Sequence, residues 1–319
     1  MNHEQALSVV KRIQDGVSRV FVGKAEAVGI VLTAFLTGGH VLIEDVPGVG
    51  KTLLAKTIAQ CLGLKFRRIQ FTPDLLPSDV TGSSVFNQKT MDFEFREGPV
   101  FSDVVLADEV NRATPRTQSS LLECMEERQV TVDGRTHPLS SHFFVLATQN
   151  PIELHGTFPL PEAQLDRFLV KVRLGYPDEE EERAIVARFE RGSAVAGAER
   201  VTNSDEIALV KEVANQTRLS DEVARYASSV CRATRELPGV ELGASPRATL
   251  SLSRAAKRYA FMQGRSYVIP DDVKRLAVPV LSHRVILSET SSLRGDSPED
   301  VVLRVLNQVE VPIGNLSGV

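Results

Sequence analysis

A glycine-bearing loop between an apolar run and a helical pattern constrains this chain more than any other feature. Residues 41–52 read Val-Leu-Ile-Glu-Asp-Val-Pro-Gly-Val-Gly-Lys-Thr, and an amphipathic helical pattern covers 51–62. A strand that turns through such a loop into a helix directs backbone N–H groups at phosphate oxygens. In this arrangement Lys51 would reach the β- and γ-phosphates of a nucleotide, and the Thr52 hydroxyl would bind Mg²⁺. We therefore predict a nucleotide-phosphate site.

Position 45 departs from the general phosphate-loop pattern. The pattern G-x-x-x-x-G-K-[ST] requires glycine where the chain has Asp45, so only the second half, Gly50-Lys51-Thr52, matches. The alternative is a glycine-rich turn between a strand and a helix that binds no ligand. The strand-like run before the loop and the helical pattern after it favour the phosphate site.

Length, charge and cysteine content indicate what class of protein this is. The chain has 319 residues, enough for about two domains, and its net charge of −4 does not favour a dedicated nucleic-acid binder. We find no stretch apolar enough to span a bilayer and no signal-peptide pattern at the start. Three cysteines without metal-ligand spacing indicate thiols in a reducing compartment, so a cytoplasmic location is expected.

Alternating strand and helix patterns predict an α/β domain followed by a helical one. Short apolar runs that predict strands occur at 40–44, 66–71, 104–107, 143–149 and 168–173. Helical patterns between them predict a parallel sheet that is covered on both faces. After about residue 175 the pattern is helical almost throughout, which predicts an α/β domain over 1–175 and a helical lid domain over 176–319.

Two further segments interrupt this alternation and predict β-hairpins. In 85–95 apolar and charged residues alternate, and in 129–139 a similar alternation contains the strong turn signal Asp133-Gly134. A minimal α/β nucleotide-binding sheet needs neither hairpin. They are either decoration at the sheet edge or working parts aimed at a partner, and spacing alone leaves both readings open.

Two adjacent carboxylates follow the apolar run at 104–107. The carboxyl end of a parallel strand is where ligands bind, and successive side chains there point in different directions. Asp108 could therefore hold Mg²⁺ while Glu109 polarises an attacking water. The alternative is an Asp-Glu loop that is merely solvated.

Three more polar residues are candidates for contact with phosphate. Asn150 follows the apolar run at 143–149, where its amide could orient a water or touch the γ-phosphate. Arg167 has the planar, permanently charged group that suits developing phosphoryl charge, although a surface ion pair with Asp166 is the alternative. Arg247 lies in the first turn of a predicted helix, where the helix dipole disfavours a cation unless an anion is near.

These motifs together resemble the AAA+ ATPases, and specifically the MoxR family. The stretches that carry the resemblance are 44–52, 107–112, 117–134, 147–151 and 159–168. The resemblance covers most of the chain and is more specific over 40–177 than in the lid. It implies a P-loop core with a five-stranded parallel sheet flanked by helices, two β-hairpin insertions and an all-α lid domain.

The resemblance also implies ATP and Mg²⁺ as cofactors and a role for each motif residue. It assigns Thr52 and Asp108 to the metal, Glu109 to the catalytic base, Asn150 to the first sensor, Arg167 to an arginine finger that acts on a neighbouring subunit, and Arg247 to the second sensor. The residues it assigns to nucleotide binding are Val22, Gly23, Val46, Pro47, Gly48, Val49, Gly50, Lys51, Thr52 and Leu53.

The function that the resemblance implies is ATP hydrolysis coupled to chaperone-like remodelling or maturation of partner proteins. Such proteins assemble as homo-oligomeric rings, usually hexamers, act on a protein client and often have a von Willebrand factor A domain partner. The alternatives are a nucleotide-gated binding scaffold with negligible turnover and a DNA-acting AAA+ motor. Nucleic acid is not expected, because the chain is acidic and the 129–139 hairpin has Arg135 as its only arginine or lysine.

Overall fold

The structure, a computed structural model, describes residues 1–152, 156–190 and 198–312. The helices up to residue 165 are α1 (His3–Val20), α2 (Ala25–Thr37), α3 (Lys51–Leu62), α4 (Pro77–Thr81), α5 (Pro115–Glu127) and α6 (Glu162–Leu165). The strands of the same part are β1 (Val41–Glu44), β2 (Phe66–Gln70), β3 (Gly82–Asn87), β4 (Asp92–Glu97), β5 (Val104–Asp108), β6 (Gln129–Val132), β7 (Arg135–Pro138), β8 (Phe144–Gln149) and β9 (Val170–Val172).

Five of these strands form one parallel sheet in the order β2-β5-β8-β1-β9, which confirms the predicted core. Every residue of β5 is buried, as expected for a strand with helices on both faces. The last strand is shorter than predicted. Residues 166–169 form a turn, closed by the bond from Phe168 N to Leu165 O, so β9 begins only at Val170.

Side chains of the sheet alternate between two hydrophobic clusters. Leu106 and Leu146 belong to the cluster that includes α1, α2, α3 and helices of the lid, whereas Val105 and Val145 belong to the cluster beneath α5. This is the two-residue period of a strand that is buried on both faces. The first cluster runs on into the lid, so apolar packing joins the sheet to the lid helices.

Both predicted hairpins are present as antiparallel strand pairs, β3 with β4 and β6 with β7. The turn between β6 and β7 has Asp133 and Gly134 at positive φ, 50° and 74°, as a tight two-residue hairpin turn requires. The two hairpins contact each other, because the rings of Phe95 and His137 stack with centroids 4.1 Å apart.

The lid is helical, as predicted. Its helices are α7 (Glu179–Glu190), α8 (Ser204–Asn215), α9 (Asp221–Ala233), α10 (Pro246–Met262), α11 (Pro270–Leu281), α12 (Glu289–Leu293) and α13 (Pro298–Gln308). It also contains a small antiparallel pair, β10 (Val240–Leu242) with β11 (Ile286–Leu287), where the sequence predicted helices almost throughout. Strands of two and three residues are too short to show a periodic pattern. The division at residue 175 stays a prediction.

None of the helices in the described ranges combines the length and the apolar character that a membrane crossing requires.

Candidate functional site

The loop after β1 wraps around the ammonium group of Lys51. Lys51 Nζ donates to Asp45 O at 2.7 Å and to Val46 O at 3.2 Å. Gly48 and Gly50 both have φ of +89°, a conformation that L side chains rarely adopt, so glycine is required there by the backbone. Gly50 is the N-cap of α3 and brings no capping side chain to its first N–H groups. An uncapped helix start beside a lysine suits a phosphate group.

Asp45 ties this loop to the segment that follows β9. Its Oδ2 accepts from the backbone N–H groups of Leu174 at 2.6 Å and Gly175 at 2.8 Å, while Oδ1 accepts from Val46 N at 2.9 Å. A glycine here, as the general pattern requires, would leave the N–H groups of Leu174 and Gly175 without this acceptor. The departure at position 45 is therefore an anchor for the loop, and it is compatible with a phosphate site.

The segment assigned to adenine lies beside the loop. The Phe21 ring would be 3.1 Å from a Cβ built on Gly50, which places residues 21–23 next to the start of α3. On the other side, a Cβ on Gly23 would lie 1.9 Å from Glu181 Oε1 in α7 of the lid. Val22 and Gly23 are thus held between the phosphate loop and the first lid helix.

Asp108, the last residue of β5, has both carboxylate oxygens engaged. Oδ1 accepts from Thr148 Oγ1 at 2.6 Å, and Oδ2 accepts from Arg68 Nη2 at 2.7 Å and Nε at 3.0 Å. Thr148 Oγ1 also accepts from Glu109 N at 2.8 Å. Sequence reasoning missed Arg68 and Thr148 as parts of this site. A threonine inside the apolar run at 143–149 was the available signal for Thr148.

At Glu109, directly after β5, the backbone leaves the extended conformation of the strand. Its φ of 57° is left-handed, which is unusual for a residue with a long side chain and marks a strained position. Its Oε2 accepts from Gln70 Nε2 at 2.7 Å and from Arg112 Nη1 at 3.0 Å. In this state the carboxylate is held by side chains of β2 and of the turn after β5.

Asn150 follows β8 at the same edge of the sheet. It is buried, and its Oδ1 accepts from Ile152 N at 3.1 Å. Because β8 lies between β5 and β1, Asn150 is placed between the carboxylates and the phosphate loop, and Asp45 N donates to Gln149 O at 3.1 Å. The structure therefore gathers the loop, Asp108, Glu109 and Asn150 at one edge.

Arg167 and Arg247 lie together at the opposite edge. Leu169 N donates to His40 O just before β1 begins, so Arg167 stands beside the amino ends of the strands. Arg167 Nε is 3.1 Å from Glu126 Oε2, and Arg247 Nη2 is 3.1 Å from Glu126 Oε1. The anion near Arg247 is thus a protein carboxylate, and Arg167 pairs with Glu126, not with Asp166.

Charged groups beneath the phosphate loop connect the sheet to the lid. Glu44 Oε2 lies 2.6 Å from Arg173 Nη2 and 3.3 Å from Lys171 Nζ, and Lys171 also pairs with Glu299 of α13 at 3.2 Å. Burial would raise the pKa of Glu44, but the hydrogen bond from Arg173 and the charge of Lys171 outweigh it and lower the pKa. Glu44 is therefore ionised at neutral pH.

Comparison with known proteins identifies the family of the chain. Residues 40–170 match the model of the ATPase family associated with various cellular activities (AAA), and residues 232–304 match an AAA lid domain. Chaperone MoxR1 of Mycobacterium tuberculosis is 43% identical over 305 residues, which cover 93% of this chain and 80% of that protein. The chain belongs to the MoxR family of AAA+ ATPases.

Other relatives extend over most of this MoxR-family chain. Protein MoxR of Paracoccus denitrificans is 32% identical, with 84% of this chain and 86% of that protein covered. The uncharacterized protein YeaC of Bacillus subtilis is 48% identical, with 93% of each chain covered. A solved structure from Cytophaga hutchinsonii, assigned as a candidate ATPase, superposes with a TM-score of 0.91 at 39% identity over 97% of each chain.

Proposed function

We propose that this MoxR-family protein hydrolyses ATP at interfaces between its own subunits and uses the cycle to remodel protein clients. The observation that carries the proposal is the division of the site between two edges of the sheet. The phosphate loop, Asp108, Glu109 and Asn150 lie at the carboxyl edge, and Arg167 and Arg247 lie at the amino edge.

The distance between the two edges supports the assignment of both arginines to the site of a neighbouring subunit. β1 has four residues and separates the two edges by about 13 Å at ~3.3 Å per residue. Arg167 lies two residues before Leu169, whose N–H donates to His40 O just before β1, and the phosphate loop follows the end of β1. In a head-to-tail ring the amino edge of one subunit can face the carboxyl edge of the next, which assembles a complete site. We therefore assign both Arg167 and Arg247 to action in trans.

Each residue at the carboxyl edge then has a task. Lys51 and the N–H groups of the loop bind the β- and γ-phosphates, and Val22 and Gly23 contact the adenine. Thr52 and Asp108 would hold Mg²⁺, for which Asp108 would give up its contact with Arg68, and the bound metal would offset phosphate charge. Asn150 orients the attacking water, and Glu109 accepts its proton after leaving Gln70 and Arg112. Arg167 from the next subunit stabilises the charge that develops on the transferred group, an effect worth roughly 10³–10⁵ in rate.

The β3–β4 hairpin is our candidate for contact with the client. Phe86 and Phe93 are 44% and 64% exposed although their rings contact each other, and Met91 at the turn is 73% exposed. Contiguous exposed apolar side chains, as Phe86 and Phe93 are here, are typical of interaction surfaces. A hexameric ring that presents these hairpins to a protein client, with a von Willebrand factor A domain partner, is the assembly we propose.

A nucleotide-gated scaffold with negligible turnover is the second candidate function. The contacts that hold Glu109 on Gln70 and Arg112 favour it, since a base held there does not face a water beside the phosphate loop. Steady-state ATPase measured at rising protein concentration separates the two functions. A rate per subunit that rises with assembly supports hydrolysis in trans, and a rate near zero at every concentration supports the scaffold.

Mixing two inactive variants tests the shared site. Arg167→Ala and Glu109→Gln should each bind ATP and lose turnover, by on the order of 10³-fold for Arg167→Ala. An equal mixture should recover about a quarter of the wild-type rate, because random assembly of a ring pairs an intact Glu109 with an intact Arg167 at about one interface in four. Arg304→Ala, which removes an exposed lid arginine paired with Asp296, serves as the control and should keep the wild-type rate. A mixture as inactive as its components would refute action in trans.

A further inference from the structure

The guanidinium of Arg284 lies buried where the lid meets the turn that carries Arg167. Arg284 ends a 3-10 turn over 282–284 that follows α11, and its side chain is only 4% exposed. It belongs to the part of the chain that matches the AAA lid domain. Burying a permanent cation is costly unless it is paired and hydrogen-bonded, so its partners indicate what it does.

Most of those partners belong to the turn between α6 and β9. Arg284 Nε donates to Asp166 Oδ1 at 2.6 Å, and Nη2 donates to Asp166 O at 3.0 Å and to Phe168 O at 2.7 Å. Nη1 donates to Leu169 O at 3.1 Å and to Val280 O of α11. One side chain of the lid therefore binds carbonyls on both sides of Arg167.

The same arginine also reaches the second arginine of the amino edge through Asp166. While Asp166 Oδ1 accepts from Arg284, its Oδ2 lies 3.8 Å from Arg247 Nε. Arg284 thus fixes the backbone on either side of Arg167 and the carboxylate that faces Arg247. The N–H groups of residues 166–169 bond to backbone carbonyls, and the carbonyls of 166, 168 and 169 accept from Arg284, so this one side chain satisfies much of the turn's backbone.

We propose that Arg284 is a positioning residue that fixes, from the lid, the turn presenting Arg167 to the ATP of the neighbouring subunit. A rotation of the lid would then move or release this turn, so that the lid state of one subunit acts on hydrolysis in the next. The inference rests on the proposed function, because it requires Arg167 to act in trans.

The chemistry of the guanidinium defines the test. Its planar fork supplies five N–H donors in fixed directions, whereas a lysine ammonium is a compact charge with three donors. Arg284→Lys keeps the charge and loses the simultaneous contacts with Asp166, Phe168 and Leu169. Arg265→Lys is the matched control, because Arg265 makes a two-pronged pair with the buried Asp272 inside the lid.

Steady-state kinetics on the full-length assembled variants should separate positioning from simple stability. Arg284→Lys should lower kcat by roughly 10- to 100-fold, the cost of a displacement of about 1 Å in a catalytic group, and leave the KM for ATP within about twofold. Arg265→Lys should lower the melting temperature but keep kcat within about twofold at temperatures where it is folded. Wild-type kcat in Arg284→Lys, or an equal loss in Arg265→Lys, would overturn the proposal.

Recovery of ATPase turnover in a mixture of two variants separates positioning from a purely structural role, which would not produce such recovery. Mixed with Glu109→Gln protein, Arg284→Lys protein should regain turnover, because the partner subunit supplies an intact, well-positioned Arg167. Recovery for Arg167→Ala without recovery for Arg284→Lys would overturn the positioning role and leave the proposed function standing. Absence of recovery for Arg167→Ala itself would instead count against the proposed function.

A second variant covers the case in which Arg284→Lys does not fold. Asp166→Asn removes the carboxylate that Arg284 and Arg247 share but leaves the backbone carbonyls in place. Like Arg284→Lys, Asp166→Asn should lower kcat, and its turnover should recover when it is mixed with Glu109→Gln protein. A wild-type kcat in Asp166→Asn would contradict the inference.

Discussion

Lowering the pH should destabilise this protein in part through the buried imidazole of His40. The ring is 3% exposed, Nε2 lies 3.1 Å from Met125 O, and Nδ1 lies 3.0 Å from Val145 N. A carbonyl only accepts and an N–H only donates, so Nε2 carries the proton and Nδ1 accepts. A second proton on Nδ1 would face the N–H of Val145. Burial, with the charge of Arg128, lowers the pKa of His40 from 6.5 to about 3.

The size of the effect follows from the two pKa values of His40. The folded pKa lies below the unfolded one, so the folded state binds fewer protons in this range. The contribution to stability is complete above about pH 6.5 and is lost as the pH falls towards about 3. The slope is about 1.4 kcal/mol per pH unit, which gives a loss of about 2 kcal/mol at about pH 5. Burial also lowers the pKa of His283, so its effect has the same sign and the comparison must isolate His40.

Urea unfolding at about pH 7.5 and about pH 5 measures this contribution. His40→Gln keeps a donor and an acceptor but cannot titrate, so its free energy of unfolding should fall by about 2 kcal/mol less than that of the wild type over this range. Phe143→Leu is the control, since the Phe143 ring packs edge-on against His40 with centroids 5.7 Å apart. It should lower stability equally at both pH values. Equal losses on acidification for the wild type and His40→Gln would refute the argument.

Two further substitutions probe the carboxyl edge of the sheet. Asp45→Gly should destabilise the protein by about 1–3 kcal/mol, although it restores the general phosphate-loop pattern, because Leu174 N and Gly175 N lose their acceptor. An unchanged melting temperature would contradict this. Gln70→Ala should raise the basal ATPase rate by up to about tenfold, because a hydrogen bond to a charged group is worth about 1.5 kcal/mol at the low end of its range and its loss leaves Glu109 held by Arg112 alone. A lower rate would show that Gln70 assists the base.

The carboxyl-edge residues were predictable because each follows its own strand in sequence. Asp108 follows one apolar run and Asn150 another, and parallel strands bring their carboxyl ends together whatever the order of the sheet. Arg68 was not predictable in the same way. Its contact with Asp108 depends on β2 being the neighbour of β5 and on the register that pairs Gln70 with Asp108. A local pattern contains neither the neighbour nor the register.

Position 45 also shows that a local sequence pattern cannot reveal partners that are distant along the chain. The general pattern counts Asp45 as a mismatch, since it compares residues within one loop. The partners that explain the aspartate, Leu174 and Gly175, lie 129 and 130 residues further along the chain. Arg284 likewise gave no sequence signal, because its partners at 166–169 are joined to it only by the docking of the lid on the sheet.

The ion pairs of Arg167 and Arg247 with Glu126 would have to change before a complete site could form between two subunits. In this structure the Glu126 carboxylate binds both Arg167 and Arg247. For these groups to act on the ATP of a neighbouring subunit, they must exchange this carboxylate for phosphate oxygens. Such an exchange replaces one anion by another of higher charge, and both side chains are partly exposed, 29% for Arg167 and 55% for Arg247, so water can reach them while partners change. Since Glu126 lies near the end of α5, which leads directly into the β6–β7 hairpin, the exchange would also release a contact at the base of that hairpin.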